Sequence, residues 1–255
     1  MRRIWHSNIM DNNIVSELIS SYVDAFYEEP DEDLSELRIF AEDRYVPIIL
    51  KDTEELLRII LALQKPERIL EIGTAIGYSA CFFAKTCGAH VTTIEKEIDL
   101  YQTARSNIEQ LGCADKVLPV FGDAVEVLER MNAARPSAGE SGFDFIFIDA
   151  AKSHYREFWD LCVPLCADDA TIVCDNVLMR GLTATRPEEA GHKHRTSIRN
   201  MREFLQFVKE LPYADTCILT VGDGVSISRI SRQDYIEFQK NNYEEDRTAR
   251  SGGRS

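Results

Sequence analysis

Apolar residues recur at helical spacing through the first 64 residues of the chain. This pattern predicts three helices, in the segments IVSELISSYVDAFY, LSELRIFAEDRY and TEELLRIILALQ. Pro30 separates the first two, and either Asp52 or Thr53 is expected to cap the third, which stops before Pro66. The chain therefore begins with a helical region.

From Glu67 onward, short continuous apolar runs alternate with helical patterns. Strands are predicted in ERILEI, HVTTIE, KVLPVFGD, FDFIFID, ATIVCDN and the two halves of ADTCILTVGDGVSISRI. Strands that are apolar on both faces and alternate with helices are typical of a parallel sheet covered on both sides. We therefore predict an α/β, Rossmann-like, doubly wound sheet of seven mostly parallel strands. Gly222-Asp223-Gly224 predicts a closing hairpin, and with it an antiparallel edge strand.

The 255 residues suffice for one large domain. We expect a single domain over residues 1–230, with N-terminal helices in 1–64 and the sheet in 65–230. The segment PSAGESG (Pro136 to Gly142) reads as a flexible loop. Residues 231–255 are charged and are expected to form a short helix followed by a disordered end.

Composition limits the classes of function. No apolar run reaches membrane-spanning length and no secretory signal is evident, so we expect a cytoplasmic protein. The seven cysteines are scattered and mostly lie in apolar stretches, which favours free buried thiols. Cys162 and Cys166 lack a second pair of ligands, which disfavours a zinc site.

The net charge of −14 disfavours nucleic acid as a partner on average, but the charge is unevenly distributed. Basic residues are concentrated between Arg180 and Arg202, where six Lys or Arg and two His stand against Glu188 and Glu189. This basic strip either holds a polyanion or is a solvated helix face.

Polar side chains follow two of the predicted strands directly. FDFIFIDAAK delivers Asp149 and Lys152, and ATIVCDNV delivers Asp175 and Asn176. If these strands are neighbours, three oxygen ligands and one ammonium converge, which suits a hard divalent cation and a substrate hydroxyl. Taken singly, an Asp-Asn pair is a common turn cap and a lysine a common helix start. As a set at adjacent strand ends, they favour a ligand site.

A second candidate site begins at the glycine loop in ILEIGTAIGYSA. Gly73 and Gly77 permit close approach of the backbone to a ligand, but the spacing is not the dinucleotide fingerprint. Glu71 precedes the loop, Glu95 ends the next strand, and Asp123 follows the third. This ordered series predicts a pocket for an adenosyl group without a pyrophosphate.

The segment EIGTAIGYSA resembles the binding motif of class I S-adenosylmethionine (SAM)-dependent methyltransferases. Together with IDAAK and DNV it resembles their Mg-dependent O-methyltransferase branch, which includes the catechol and caffeoyl-CoA enzymes. The match covers roughly Val46 to Ile230. DNVLMRG, RTSIRNMREF and VGDGVSISRI further resemble the bacterial tRNA 5-hydroxyuridine methyltransferases of that branch.

The resemblance implies roles for individual residues. It places Gly73, Thr74 and Ser79 at the methionine end of the cofactor, Glu95 on its ribose, and Asp123 with Ala124 around its adenine. Ile49 would pack near the cofactor, and Glu71 would meet its cationic group directly or through water. Asp149, Asp175 and Asn176 match metal ligands for Mg²⁺ or a similar cation, Asp149 also reaching the cofactor, and Lys152 matches the catalytic lysine. The resemblance also suggests a homodimer.

Other residues near these motifs have two interpretations. His154 and Tyr155 either contact substrate or lie on the surface at a helix start, and we expect the second. Phe158 and Trp159 are expected in the core, and Tyr78 either flanks the cofactor or simply packs. Arg180 either meets a phosphate or serves the loop.

The chain departs from the family pattern in three places. LKDT (Leu50 to Thr53) replaces an acidic, glycine-containing segment, PSAGESG adds length, and the tail extends past Ser231. Three functions remain open. The first is methylation of 5-hydroxyuridine at the tRNA wobble position, giving 5-methoxyuridine; the second is methylation of a small catechol-type diol. The third is a non-catalytic adenosyl-binding or RNA-binding module, against which the intact Asp149, Lys152, Asp175 and Asn176 argue.

Overall fold

The computed structural model describes residues 17–28, 30–134, 142–185 and 195–252. The helices and strands, in chain order, are α1 (Glu17–Asp24), α2 (Glu32–Asp43), α3 (Lys51–Gln64), β1 (Arg68–Ile72), α4 (Tyr78–Cys87), β2 (His90–Glu95), α5 (Ile98–Gln110), β3 (Val117–Phe121), α6 (Ala124–Ala134), β4 (Phe143–Ile148), α7 (Tyr155–Cys162), β5 (Cys166–Cys174), α8 (Arg195–Glu210), β6 (Ala214–Leu219), β7 (Val225–Ser231) and α9 (Arg232–Gly252). Short 3₁₀ turns lie at Lys152–His154, Val163–Leu165 and Leu182–Ala184.

The seven strands form one sheet in the order β3-β2-β1-β4-β5-β7-β6. The strands from β3 to β5 pair in parallel, and β7 pairs antiparallel with both β5 and β6. The predicted α/β Rossmann-like fold is confirmed, and the antiparallel pairing lies at the edge formed by the closing hairpin, as predicted. The antiparallel strand β7 is the second strand from that edge, and β6 is the outermost strand. The chain reverses its direction of travel across the sheet between β1 and β4. In open α/β sheets, ligands bind outside the carboxyl ends of the strands at this point.

Successive residues of the central strands point to opposite faces of the sheet and pack into two separate cores. In β1, Ile69 packs with α3, α4 and α5, whereas Leu70 packs with α6, α7 and α8. Phe145 and Ile146 divide the two faces in the same way in β4. Burial on both faces explains why these strands read as continuous apolar runs.

Two helix boundaries differ from the sequence expectation. Neither Asp52 nor Thr53 caps α3, because the helix begins at Lys51 with Leu50 as an N-cap without a side-chain bond. Asp52 instead accepts hydrogen bonds from the backbone N–H of Thr53 (2.9 Å) and of Gly222 (2.7 Å) in the distant β6–β7 hairpin. A long-range contact has therefore replaced the local cap.

The expected helix over HYREFWDLCVPLC is shorter, and β5 begins at Cys166 rather than near Ala170. At the other end of the chain, α9 reaches Gly252, so the expectation of a short helix and a disordered last dozen residues is wrong up to that residue. The six residues 136–141 of the predicted loop, and residues 186–194 of the basic strip, lie outside the described residues.

All seven cysteines are free, and five of them are buried. The thiol of Cys166 donates to the backbone carbonyl of Cys162. Among the described residues, no helix is both long and apolar enough to cross a bilayer.

Candidate active site

The sheet's hydrogen-bond ladder continues one residue beyond its strands. Gly122, Gly73, Asp149 and Asp175 each follow a strand, and each donates its backbone N–H to a carbonyl of the neighbouring strand at 2.9–3.0 Å. The residues that end β3, β1, β4 and β5 are therefore held side by side along one edge of the sheet. The two candidate sites of the sequence meet here.

Gly73 allows this close approach. Its φ of +99° lies in the left-handed region, and an added Cβ would fall 2.2 Å from the carbonyl oxygen of Asp149. Any larger residue would push the ends of β1 and β4 apart. The glycine of the loop thus serves the junction of the two sites as well as ligand approach.

A cavity of about 1250 Å³ opens over these strand ends. It is bounded by the glycine loop, the α2–α3 connection, the starts of α4 and α6, and the loops after β4, β5 and β6. The predicted site residues that line it are Ile49, Gly73, Thr74, Ser79, Glu95, Asp123, Ala124, Asp149, Lys152 and Asn176. Glu71 and Asp175 are not among its lining residues, and both are almost fully buried beneath it.

The carboxylates on the β2 and β3 side are held by backbone amides. Glu95 accepts hydrogen bonds from the N–H groups of Ala75, Lys96 and Glu97, each at 2.9 Å. Asp123 accepts from Val125 N at 2.9 Å and remains exposed at the start of α6. These bonds fix the position of both carboxylates, which suits contacts to ribose and base groups of a nucleoside.

Glu71 lies in β1 and is fully buried, with Thr93 donating to one of its carboxyl oxygens. Burial raises the pKa of Glu71 to about 8, although hydrogen bonds from Ser79 and Thr93 lower it. The other carboxyl oxygen, Oε1, has no hydrogen-bond partner among the described residues, and the side chain does not line the cavity.

Lys152 stands at the floor of the cavity and makes three hydrogen bonds. Its Nζ donates to Asp149 Oδ1 (2.9 Å), Asn176 Oδ1 (2.7 Å) and the hydroxyl of Tyr155 (3.0 Å). Three bonds use all the donors of an ammonium group. The lysine therefore joins the ends of β4 and β5.

Asp175 carries a buried carboxyl that is only partly satisfied. Its Oδ1 accepts from the N–H of Asn176 at 2.7 Å, whereas Oδ2 has no hydrogen-bond partner among the described residues. Burial, and then the negative charge of Asp149, raise the pKa of Asp175 well above its ordinary value. A second carboxylate beside a buried, unpartnered oxygen is an arrangement that a cation would relieve.

The donor set fits a hard divalent ion. Asp149 and Asn176 offer oxygen atoms to the cavity, and the orphaned oxygen of Asp175 lies behind them. Carboxylate and amide oxygens are the ligands that Mg²⁺ accepts, with water filling further positions. In the part of the chain that the structure describes, no three His, Cys, Asp or Glu side chains form a metal cluster, and the predicted set has only two carboxylates.

Sequence reasoning missed two residues of this site. Tyr155 is 1 % exposed, so the surface role expected for it is wrong; its hydroxyl donates to the carbonyl of Asp175 at 2.7 Å and accepts from Lys152. Asp223, in the β6–β7 hairpin, lines the cavity and accepts from the backbone N–H of Arg180. Burial raises the pKa of Asp223. The only sequence signal for a role of Asp223 was the Gly-Asp-Gly segment, and this segment predicts a simple turn equally well.

The segment after β5 has an unusual backbone. Asn176, Met179 and Arg180 have φ values of 55°, 50° and 52°, in the left-handed region that side chains other than glycine adopt at a cost. Such strained conformations are common at binding sites, and they persist only where the surrounding structure enforces them. Here the β6–β7 hairpin does so, since its Asp223 and Gly224 carbonyls accept from Leu178 and Val177.

The remaining expectations divide between cavity and core. His154 is exposed, pairs with Glu157 at 2.9 Å and lines the cavity, as does the exposed Arg180. Phe158 is 5 % exposed and belongs to the core while touching the cavity, whereas Trp159 is wholly buried. Tyr78 is buried and also lines the cavity, so both of the roles considered for it apply.

Comparison with known proteins agrees with this geometry. The family model described as O-methyltransferase matches residues 25–231. The chain is 28% identical to a caffeoyl-CoA O-methyltransferase from Populus kitakamiensis, over 84% of this chain and 94% of that protein. It is 32% identical to a catechol O-methyltransferase from Mycobacterium tuberculosis, over 64% of this chain and 71% of that protein.

One solved structure with the same fold contains a relevant ligand. The O-methyltransferase from Bacillus cereus in complex with S-adenosylhomocysteine (SAH) superposes with a TM-score of 0.71 at 25% identity, covering 84% of this chain and 97% of that one. Its bound SAH is the product of the donor that the glycine loop and Glu95 predict here. The chain belongs to the O-methyltransferase family and is a SAM-dependent O-methyltransferase of the caffeoyl-CoA and catechol type.

Proposed function

We propose that this enzyme methylates the 5-hydroxyl of 5-hydroxyuridine at the wobble position of tRNA, giving 5-methoxyuridine, with the help of Mg²⁺ or a similar cation. The observation that carries this proposal is the cavity itself, in which Lys152 joins Asp149 and Asn176 and which the exposed Arg180 also lines. The floor suits a hydroxyl that must lose its proton, and the arginine suits a phosphate.

The donor would be held on the β1–β3 side. Glu95 and Asp123 meet the ribose and the adenine, while Gly73, Thr74 and Ser79 line the methionine end. Methyl transfer from a sulfonium is an in-line displacement, in which the acceptor oxygen bonds to the methyl carbon as the carbon–sulfur bond breaks. Alignment of the three atoms is therefore the main contribution of these residues.

The acceptor would bind over Asp149 and Asn176, with Asp175 as the third ligand of the cation. A divalent cation held there supplies one thing, a lowered pKa for the acceptor hydroxyl. The chain's own groups do the rest. Lys152 Nζ in its neutral form takes the hydroxyl proton, and as an ammonium it holds the oxyanion electrostatically. Tyr155, bonded to Lys152 and to the backbone of Asp175, fixes the direction in which Nζ points.

The acceptor class rests on chemistry and on one side chain. In 5-hydroxyuridine the hydroxyl stands next to the C4 carbonyl, so a flipped base offers two adjacent oxygens as a catechol does. Among the described members of the basic strip, Arg202 donates to the carbonyls of Thr183 and Thr185, and Arg199 stands 3.9 Å from Glu203. Arg180 is the one that lines the cavity, and we assign it to a backbone phosphate.

Small catechol-type diols are the alternative acceptors. The net charge of −14 favours them, and two similar relatives are named as caffeoyl-CoA and catechol O-methyltransferases. Both acceptor classes use the same cavity floor, so the difference lies at its mouth.

The test compares acceptors under identical conditions. Purified enzyme is incubated with labelled SAM and Mg²⁺, and either hydroxylated tRNA or a panel of catechols is added across a range of salt. We expect transfer to tRNA that is abolished by EDTA and restored by Mg²⁺. Efficient turnover of a catechol with inert tRNA would decide for the alternative, and transfer unaffected by EDTA would remove the cation from the proposal.

Arg180 offers a sharper control. Arg180→Gln should weaken tRNA methylation by about tenfold and flatten its salt dependence, because one phosphate contact is lost. The same variant should leave methylation of a small diol, if there is any, nearly unchanged. Mass analysis of tRNA nucleosides from cells lacking the protein gives an independent answer: 5-hydroxyuridine should accumulate and 5-methoxyuridine should be missing.

We also propose that two copies of this chain associate through the N-terminal helices. Large apolar side chains on α1, just after it, and on α2 and α3 are exposed: Leu18, Ile19, Tyr22, Val23, Phe26, Ile39, Phe40, Ile59 and Leu63. An apolar surface of this extent is typical of an interface. Light scattering should give the mass of a dimer, and Ile59→Asp with Leu63→Asp should give that of a monomer.

A further inference from the structure

A buried polar cluster next to the cavity has no part in the chemistry described above. Its centre is Glu54 in α3, which is fully buried, and Arg38 in α2, which is 4 % exposed. The Arg38 guanidinium donates to Glu54 Oε2, and it lies over the ring of Tyr78 at 4.7 Å. Charged groups this deep need several partners, so the cluster imposes a specific geometry on the elements that supply them.

The two oxygens of Glu54 face different neighbours. Oε2 accepts from Arg38 and from the hydroxyl of Tyr78 (2.7 Å), and both of these residues line the cavity. Oε1 accepts from Tyr27 (2.8 Å) and Arg58 (2.9 Å), which do not line it. The hydroxyls of both tyrosines also accept from Arg38 Nε, that of Tyr27 at 3.0 Å and that of Tyr78 at 3.1 Å. The carboxylate thus holds one arginine and one tyrosine on each side. We call Arg38 and Tyr78, on the cavity side, the inner pair, and Arg58 and Tyr27, on the far side, the outer pair.

The inner pair reaches two walls of the cavity. Arg38 donates through the same terminal nitrogen to the backbone carbonyl of Ile49 at 3.1 Å. Ile49 belongs to the α2–α3 connection, in which all six residues from Tyr45 to Leu50 line the cavity. Tyr78 is the first residue of α4, directly after the glycine loop and next to Ser79.

The α2–α3 connection depends on such side-chain anchors. Its start is tied back to α2 by the backbone N–H groups of Tyr45 and Val46, and its end passes into α3 at Leu50. Arg38 holds the stretch between, through Ile49. Asp52, the second residue of α3, fixes the far end to Gly222 of the β6–β7 hairpin.

We propose that Arg38 and Tyr78 are positioning residues for the methyl donor, and that they hold the 45–50 connection and the start of α4 as two walls of its cavity. This inference rests on the SAM donor and is independent of which acceptor is used. Since the inner pair does not touch the floor at Lys152, its loss should weaken donor binding while the transfer step at saturating donor is preserved.

The outer pair provides matched controls. Arg38→Lys and Arg58→Lys each keep a buried positive charge at Glu54 and remove a guanidinium, but only the first loses the bond to Ile49. Tyr78→Phe and Tyr27→Phe each remove one hydroxyl that donates to Glu54 and accepts from Arg38 Nε, but only the first alters a cavity wall. All four are compared with the unaltered enzyme by calorimetric titration with SAM and SAH, steady-state kinetics and hydrogen exchange.

We expect Arg38→Lys to raise the dissociation constant and the KM for SAM by about tenfold, with kcat within about threefold. Exchange of the amides in residues 45–50 should accelerate in this variant. Tyr78→Phe should raise the dissociation constant by about threefold, the loss expected for one hydrogen bond. Arg58→Lys and Tyr27→Phe should stay within about twofold of the unaltered enzyme, whatever stability they lose.

The inference is overturned if the inner variants bind SAM as the unaltered enzyme does, or if the outer variants weaken binding equally, which would indicate a general structural role. Should Arg38→Lys not fold, the tyrosine pair decides the question by the same criterion. A wrong acceptor assignment would show itself differently, as absent transfer to tRNA by an unaltered enzyme that still binds SAM.

Discussion

The donor side and the acceptor side of the cavity are built in opposite ways. On the donor side, Glu95 accepts three backbone hydrogen bonds and Asp123 accepts one, so their charges are satisfied by the chain nearby. On the acceptor side, Asp175 is buried next to Asp149 with an oxygen that has no partner among the described residues. Beneath the donor side, Glu71 also keeps one carboxyl oxygen without a partner among the described residues. The two carboxylates that face the cavity on that side are nevertheless satisfied as they stand, whereas the acceptor side is satisfied only with an added positive charge.

The backbone shows the same contrast. The glycine loop takes its left-handed conformations mostly with glycine, at Gly73 and Gly77, where they cost little. The loop after β5 takes them with Asn176, Met179 and Arg180, and the distant β6–β7 hairpin holds it in place. The glycine loop is therefore a local motif, whereas the loop after β5 depends on contacts with a remote part of the chain.

The largest effect should come from the residue that links the two sides. Lys152→Met should lower kcat by about 10²–10⁴-fold, because it removes the amine that takes the proton and the ammonium group that holds the oxyanion. Binding of SAH, measured by calorimetry, should change by less than about threefold. A loss of SAH binding that matched the loss of activity would show that the lysine serves the donor side as well.

Gly73→Ala tests the junction of the two sides. The new methyl group would overlap the Asp149 carbonyl oxygen, so we expect a loss of about 3 kcal/mol or more in the free energy of unfolding. Gly112→Ala is the matched control, since Gly112 also has a positive φ (67°) but no atom within 4 Å of an added Cβ. It should cost only about 1 kcal/mol, the conformational cost alone. Equal losses in chemical denaturation would contradict the close approach of β1 and β4.

Glu71 should make stability depend on pH. Its pKa is raised from 4.5 to about 8 by burial, so the folded state retains a proton that the unfolded chain has released. The free energy of unfolding should therefore fall as pH rises from about 4.5 to about 8, by up to about 1 kcal/mol per pH unit. Glu71→Gln should reduce this slope in urea titrations but not abolish it, because the raised pKa of Asp175 contributes a slope of the same sign. A slope unchanged in the variant would assign it to other groups.

The smallest effects should have opposite signs on the two sides. In EDTA at pH 7, Glu95→Gln should lose about 1–2 kcal/mol of stability, because an amide nitrogen cannot accept the bonds that the carboxylate receives. Asp175→Asn should gain about 1 kcal/mol, because a buried charge beside Asp149 is removed, while methyl transfer falls. Destabilisation of both variants would mean that the acceptor side is satisfied without a cation.

Much of this molecule could be predicted from local patterns. The strands of the sheet follow from continuous apolar runs, and ten of the twelve predicted site residues line one cavity because they stand at the ends of neighbouring strands. The tyrosine at 155 could not be predicted, because its burial depends on the packing of Phe204 from α8 against its ring at 5.7 Å. Asp52 was misassigned for the same kind of reason, since its partner Gly222 is 170 residues away.

By itself, the sequence determined the fold class, the methyl donor and the positions of the polar groups that follow the strands. These depend on hydrophobic period and on short motifs, in which a few consecutive residues carry the whole signal. The tertiary structure decided which of these groups reach the cavity and which lie beneath it, as Glu71 and Asp175 do. It also revealed Asp223 at the cavity and Arg38 beside it, because the burial and charge environment of a side chain depend on neighbours that are distant along the chain.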